Sequence, residues 1–150
     1  MQSQTDLAPI VNSMRSCEAF SCAVQVLVID QFNGPADILV DTVSLLLDRE
    51  ISVTSVDEYD DALRALDYYH FDLIVVGLHE QHPIQLSILP HLQQAHPETP
   101  ILAVGRDLPR QYRQYARNYG VREVLNVPER AADLKILVGH MADRYLKISA

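Results

Sequence analysis

Four short apolar runs constrain the fold of this chain more than any other feature: Val26–Asp30 (VLVID), Phe71–Gly77 (FDLIVVG), Pro100–Gly105 (PILAVG) and Val121–Pro128 (VREVLNVP). Each is separated from the next by sequence with helical spacing, and each has the length of a strand rather than a helix. Ile51–Val56 adds a β-branched fifth run. Between the runs, Gly34-Pro35 opens a helix with Ile38, Leu39, Val43, Leu46 and Leu47 predicted to face inward. Asp57 is the expected cap of a second helix, with a stripe of Ala62, Leu63 and Leu66. Pro83–Ala95 reads as a third helix, bent at Pro90 because proline lacks an amide and crowds the preceding turn. Arg110–Tyr119 is a fourth, ended by Gly120. Glu129–Leu146 closes the chain, with Leu134, Ile136, Leu137, Val138, Met141 and Tyr145 as its predicted buried side. Strands alternating with helices demand a parallel sheet covered on both faces. Right-handed crossovers then favour the flavodoxin-like (βα)5 arrangement, an α/β three-layer sandwich with strand order 2-1-3-4-5.

The 150 residues suit one folded domain over 23–150, preceded by an arm over 1–22 that shows no sustained periodicity and is expected to be mobile. That arm has no basic start followed by an apolar core, so a cytoplasmic address is expected. Cys17 and Cys22 complete no zinc pattern and read as reduced thiols. A net charge of −8 argues against a general attraction to nucleic acid or to an anionic membrane. Its distribution is more informative: Asp30–Glu80 holds 12 acids and 2 bases, whereas Arg106–Lys147 holds 9 bases and 5 acids. The two halves are electrically opposite.

From Val24 to Leu146 these segments resemble the receiver domain of bacterial response regulators, the CheY-like family. VLVID ending at Asp30 is similar to that family's first strand, FDLIVVG to its third, TPILAVG to its fourth, and GVREVLNVP, with its glycine entry and closing proline, to its fifth. The resemblance implies a magnesium ion held by an acidic pair after the first strand and a carboxylate nucleophile at the end of the third. Here the acidic pair is Asp30 and Gln31, and the acceptor position falls on Gly77, which has no side chain. The hydroxyl expected at the end of the fourth strand is Gly105, the lysine expected before the last proline is Val127, and the aromatic position in the fifth strand is Val124. Phosphoryl transfer relies on metal and cation to stabilise developing charge. The pattern is that of a pseudo-receiver with the scaffold kept and the chemistry erased. Asp72, at the other end of its strand, and Glu80, beyond it, do not replace the acceptor. The resemblance also implies a cis Val127–Pro128 bond, which needs no lysine because the X-Pro cis penalty is only about 0.5–1 kcal/mol.

Other constellations are weaker. His79-Glu80-Gln81-His82 lies near Asp30 in the expected topology, yet lacks the spacing of a metal site and reads as a polar surface loop. No metal or other cofactor and no nucleotide loop is indicated, and no enzyme nucleophile motif occurs. Arg110, Arg113 and Arg117 form one helical stripe, opposite Tyr112, Tyr115, Ala116 and Tyr119, whose tyrosines are expected to pack inward. With Arg122, these arginines lie where receivers pair with one another. The expected function is therefore a non-phosphorylatable, receiver-like signalling domain that acts by protein contact, as a homodimer or against an acidic protein partner. The alternative is a sensor of a small molecule or ion, bound beside Asp30 in space freed by Gly77, Gly105 and Val127.

Overall fold

The computed structural model describes residues 24–47, 51–79 and 84–146, with the side chains of 84–87 set aside. The 1–22 arm, both cysteines, and Glu80, Gln81 and His82 lie outside the described residues. Strands β1 (Val24–Ile29), β2 (Ile51–Val56), β3 (Leu73–Gly77), β4 (Ile101–Gly105) and β5 (Glu123–Asn126) alternate with helices α1 (Pro35–Leu47), α2 (Tyr59–Tyr68), α3 (Ile84–Ala95), α4 (Arg110–Asn118) and α5 (Ala131–Met141). All strand pairs are parallel, in the order β2-β1-β3-β4-β5. This is the flavodoxin-like topology expected from the alternation of runs.

Strand parity divides the core into two layers. Val26, Val28, Leu73, Val75, Leu102, Val104, Leu125 and Val127 pack against α1 and α5. Leu27, Ile29, Ile74, Val76, Ile101 and Ala103 pack against α2, α3 and α4. Among the described residues no helix is long and apolar enough to cross a membrane.

Several local expectations are corrected. The residue at the N-cap position of α2 is Glu58, not Asp57, and its side chain makes no capping bond. α1 buries Ala36, Leu39, Val40 and Val43, while Leu45 and Leu46 are exposed. Three consecutive leucines sweep about 200° of helix and cannot all face one sheet. For the same reason Ile136 is exposed, roughly 200° around α5 from the buried Val138. α4 buries Ala116 and rests Tyr112 on the core, but Tyr115 lies about 100° from Ala116 and Tyr119 falls just past the last residue of the helix, and both stay at the surface, ring to ring at 4.6 Å. Val127–Pro128 is trans, as no cis peptide bond occurs among the described residues. The placement of this segment rests instead on pairing, with Gly105 opposite Asn126 and the Val127 amide donating to the Gly105 carbonyl at 2.9 Å.

The closing helix is not a single α-helix. α5 ends at Met141 and the chain continues as a π-helical turn, Ala142–Leu146, which places Met141, Ala142 and Leu146 in the core. Gly120, with φ of +86°, ends α4 in the left-handed region that favours glycine.

Candidate functional site

The topological switch point of this sheet lies between β1 and β3, whose register pairs Ile29 with Val76 and so brings Asp30 beside Gly77. Open α/β sheets place their ligands at this edge. The Asp30 side chain is fully buried. Four donors converge on its two oxygens: Oδ1 accepts from the Gln31 amide at 2.7 Å and contacts His79 Nε2 at 2.7 Å, and Oδ2 accepts from the Ala36 and Asp37 amides at 2.8 and 3.2 Å. Asp30 therefore satisfies the first amides of α1 from six residues upstream, the work of a capping side chain done from a strand end. A carboxylate can only accept, so His79 donates its Nε2–H.

Gly34 and Gly77 flank this carboxylate. A Cβ on either residue would overlap the Asp30 carboxyl group. The loop from Asp30 to Gly34 is held by the Gly34 amide donating to the Gln31 carbonyl at 2.9 Å, with Asn33 at φ of +61° and its amide bonded to Asp37 Oδ2 at 3.0 Å. Phe32 projects from this loop almost fully exposed. Gly77 is thus the small residue that lets Asp30 turn inward.

The space expected from the glycines is not formed as one pocket. Gly77 pairs with Val104, so Gly105 points to the opposite face of the sheet. On that face a Cβ at Gly105 would overlap the Leu108 side chain, which is buried there. Val127 belongs to the α1–α5 layer and is buried in it. Gly105 therefore lies on the opposite face of the sheet from Gly77 and Val127. The residues do not fit a magnesium ion either: both Asp30 oxygens are engaged by N–H donors, Gln31 is exposed, and Gly77 offers no oxygen from a side chain.

His79 is the residue sequence reasoning undervalued. The missed signal was parity: Gly77 and His79 are two apart and share the face that Asp30 enters. Gly34 and Leu108 were missed as well, since neither has a polar group to attract notice. Asp72 lies, as expected, at the other end of the sheet, where its Oδ2 accepts from the Gln25 amide at 2.8 Å.

A second polar cluster joins β5 to the end of the last helix. Glu123 contacts His140 Nε2 through Oε1 and Oε2 at 3.0 and 3.2 Å and accepts a hydrogen bond from the Tyr145 hydroxyl. In an α-helix, residues five apart lie about 140° from each other. The wider π turn narrows that angle, so His140 and Tyr145 address one carboxylate. Partial burial pushes the Glu123 carboxyl up, but hydrogen bonds from Tyr145 and His140 and the charges of His140 and Arg144 outweigh it and hold it below the usual range. Burial first, then the bond to Glu123 and its charge, push the Tyr145 hydroxyl up to about 12, against the pull of Arg144 and Arg122.

The pH dependence follows from the signs. The depressed Glu123 contributes stability above the ordinary glutamate range and loses it as pH falls through the lower folded value. The raised Tyr145 contributes below its ordinary value and loses its share as pH rises towards about 12. Tyr145→Phe is expected to lower stability near neutral pH by about 1 kcal/mol and to move the acid limb of unfolding to higher pH. Urea unfolding across the pH range measures both, and an unmoved acid limb would show that Tyr145 does not hold Glu123 down.

Of the predicted interaction residues, Arg110, Arg113 and Arg117 are exposed along α4 and Arg122 is exposed just before β5. None carries an ion pair within 4.0 Å among those the structure shows, which involve Arg64, His70, His79 and His140.

No protein-family model matches this chain, and no curated protein does. Solved structures do, at the level of fold. HP1043, an orphan response regulator of Helicobacter pylori, superposes with a TM-score of 0.62 at 18% identity, covering 81% of this chain and 96% of its own. The CheY-like protein TadZ of Pseudomonas aeruginosa PAO1 gives 0.62 at 19% identity, over 85% and 97% of the two chains. An atypical orphan response regulator described as having a phosphorylation-independent regulatory mechanism gives 0.60 at 19% identity, over 85% and 98%. The likeness to receiver domains runs through nearly the whole of each.

Proposed function

We propose that this chain is a receiver-like signalling domain that works without phosphorylation and transmits by protein contact, associating with other copies of itself through the face formed by α4, β5 and α5. The observation that carries the first half is the state of Asp30. Its carboxylate is turned into the fold to cap α1 and pair with His79, and Gly77 and Gly34 are the residues that admit it. An aspartyl phosphate needs a free carboxylate and a cation beside it. Asp30 is not free, because both of its oxygens are engaged by N–H donors. That an atypical orphan regulator of similar fold is described as phosphorylation-independent supports the reading.

The second half rests on α4, whose exposed arginines and tyrosines are the residue types enriched in interface cores. The sensor alternative loses its support, since Gly77 and Gly105 open on opposite faces and each is covered by a side chain of the fold.

Incubation with acetyl phosphate or with beryllofluoride and magnesium is expected to add no phosphoryl mass to the intact protein and to leave its melting temperature unchanged. A stoichiometric acyl phosphate in the mass spectrum would refute the phosphate-independent reading.

A further inference from the structure

The layer formed by α2, α3 and α4 is electrically polar from one edge to the other. α4, which packs on β5 and α3, carries Arg110, Arg113 and Arg117 and no acid. The stretch from Asp57 to Tyr68, which includes α2 on β1 and β2, carries five acids and one base. That base, Arg64, is engaged by Asp61 at 3.5 Å. Asp57, Glu58, Asp60 and Asp67 remain exposed. Asp60 and Asp67 are seven residues apart, as are Arg110 and Arg117, so each pair spans roughly 10 Å along one side of its helix. Exposed tyrosines accompany both stripes: Tyr115 and Tyr119 on α4, and Tyr68 on α2.

These stripes cannot meet within one molecule. β1 and β5 are three strand spacings apart, roughly 14 Å, and α3 packs between the two helices. Nor does α4 suit its own copy: a two-fold pairing of α4 on α4 would gather six guanidinium groups with no carboxylate on either helix. We propose that the basic face of α4 docks on the acidic face of α2 of a second copy of this chain. This rests on the self-association proposed above and names the surface that α4 meets. Such a contact is heterologous: each copy that docks leaves one α2 and one α4 face open, so association continues past two copies unless the geometry closes a ring. Because the stripes are exposed, salt weakens the contact.

The test is sedimentation velocity on the full chain at about 0.02 M salt, where surface charges are least screened. The wild type is expected to gain mass with concentration beyond two copies. R113E/R117E and D60K/D67K should each weaken association about tenfold or more, since each meets its partner face with like charge. An equimolar mixture of the two variants should recover it, because reversed α4 then meets reversed α2. Recovery also shows that both variants are folded. If D60K/D67K associates like the wild type while R113E/R117E does not, α2 is not the partner surface and the head-to-tail contact is overturned, with self-association through α4, β5 and α5 left standing. A wild type that stays at the mass of one copy overturns both.

Discussion

Gly77→Asp, which would place a carboxylate at the end of β3, is expected to destabilise the domain severely rather than make it phosphorylatable. Its Cβ alone would overlap the Asp30 carboxyl group, and its carboxylate would be placed against a second, fully buried one. Asp30 is a side-chain end and could swing away, but only by abandoning the Ala36 and Asp37 amides and His79. Like charge, lost capping and desolvation together cost about 4 kcal/mol or more, which for a domain of this size lowers Tm by roughly 15 °C. Gly77→Ala isolates the steric part and is expected to cost about 2 kcal/mol. Calorimetric melting of both variants checks this, and a Gly77→Asp protein that melts with the wild type would show that the glycine is not needed by Asp30.

Asp30→Ala is expected to have the next largest effect, a loss of about 3 kcal/mol, because it strands buried donors on α1 and removes the partner of His79. Asp30→Asn keeps an acceptor for the α1 amides and should cost about half as much or less. The two sites are coupled: truncating Asp30 removes the three atoms that a Cβ at position 77 would strike first. Gly77→Ala in an Asp30→Ala background should therefore be nearly neutral, and denaturant unfolding of the four proteins of the cycle measures the coupling. Simple additivity of the two losses would refute the reciprocal fit of Asp30 and Gly77. Here an acidic residue and a missing acceptor, which from residue types alone look like remnants of one lost reaction, are two halves of one packing solution.

Much of this was readable along the chain. The run of strand and helix patterns specified the sheet order, and the lack of a side chain at Gly77 was visible as a residue type. Even the separation of Gly77 from Gly105 follows from side-chain alternation once the Gly77–Val104 register is known. The helices were less legible. Leu46, Ile136, Tyr115 and Tyr119 are apolar or aromatic residues in helices with more such positions than one buried arc can hold, and periodicity does not say which arc the sheet will cover.

Local periodicity and turn chemistry act between neighbouring residues, so the order of elements, the parallel sheet and the opposed charges of its two halves were determined by the sequence alone. The direction of the Asp30 carboxylate was decided only by tertiary structure. It depends on four donors and two glycines drawn from the loop after β1, the first turn of α1, the end of β3 and the residues just beyond it, which meet only when the crossover sets β3 beside β1. The same holds for Glu123, His140 and Tyr145, which converge because a π turn rotates one helix face onto an edge strand. Burial makes these choices, since a polar group removed from water must find its partners wherever the fold has placed them.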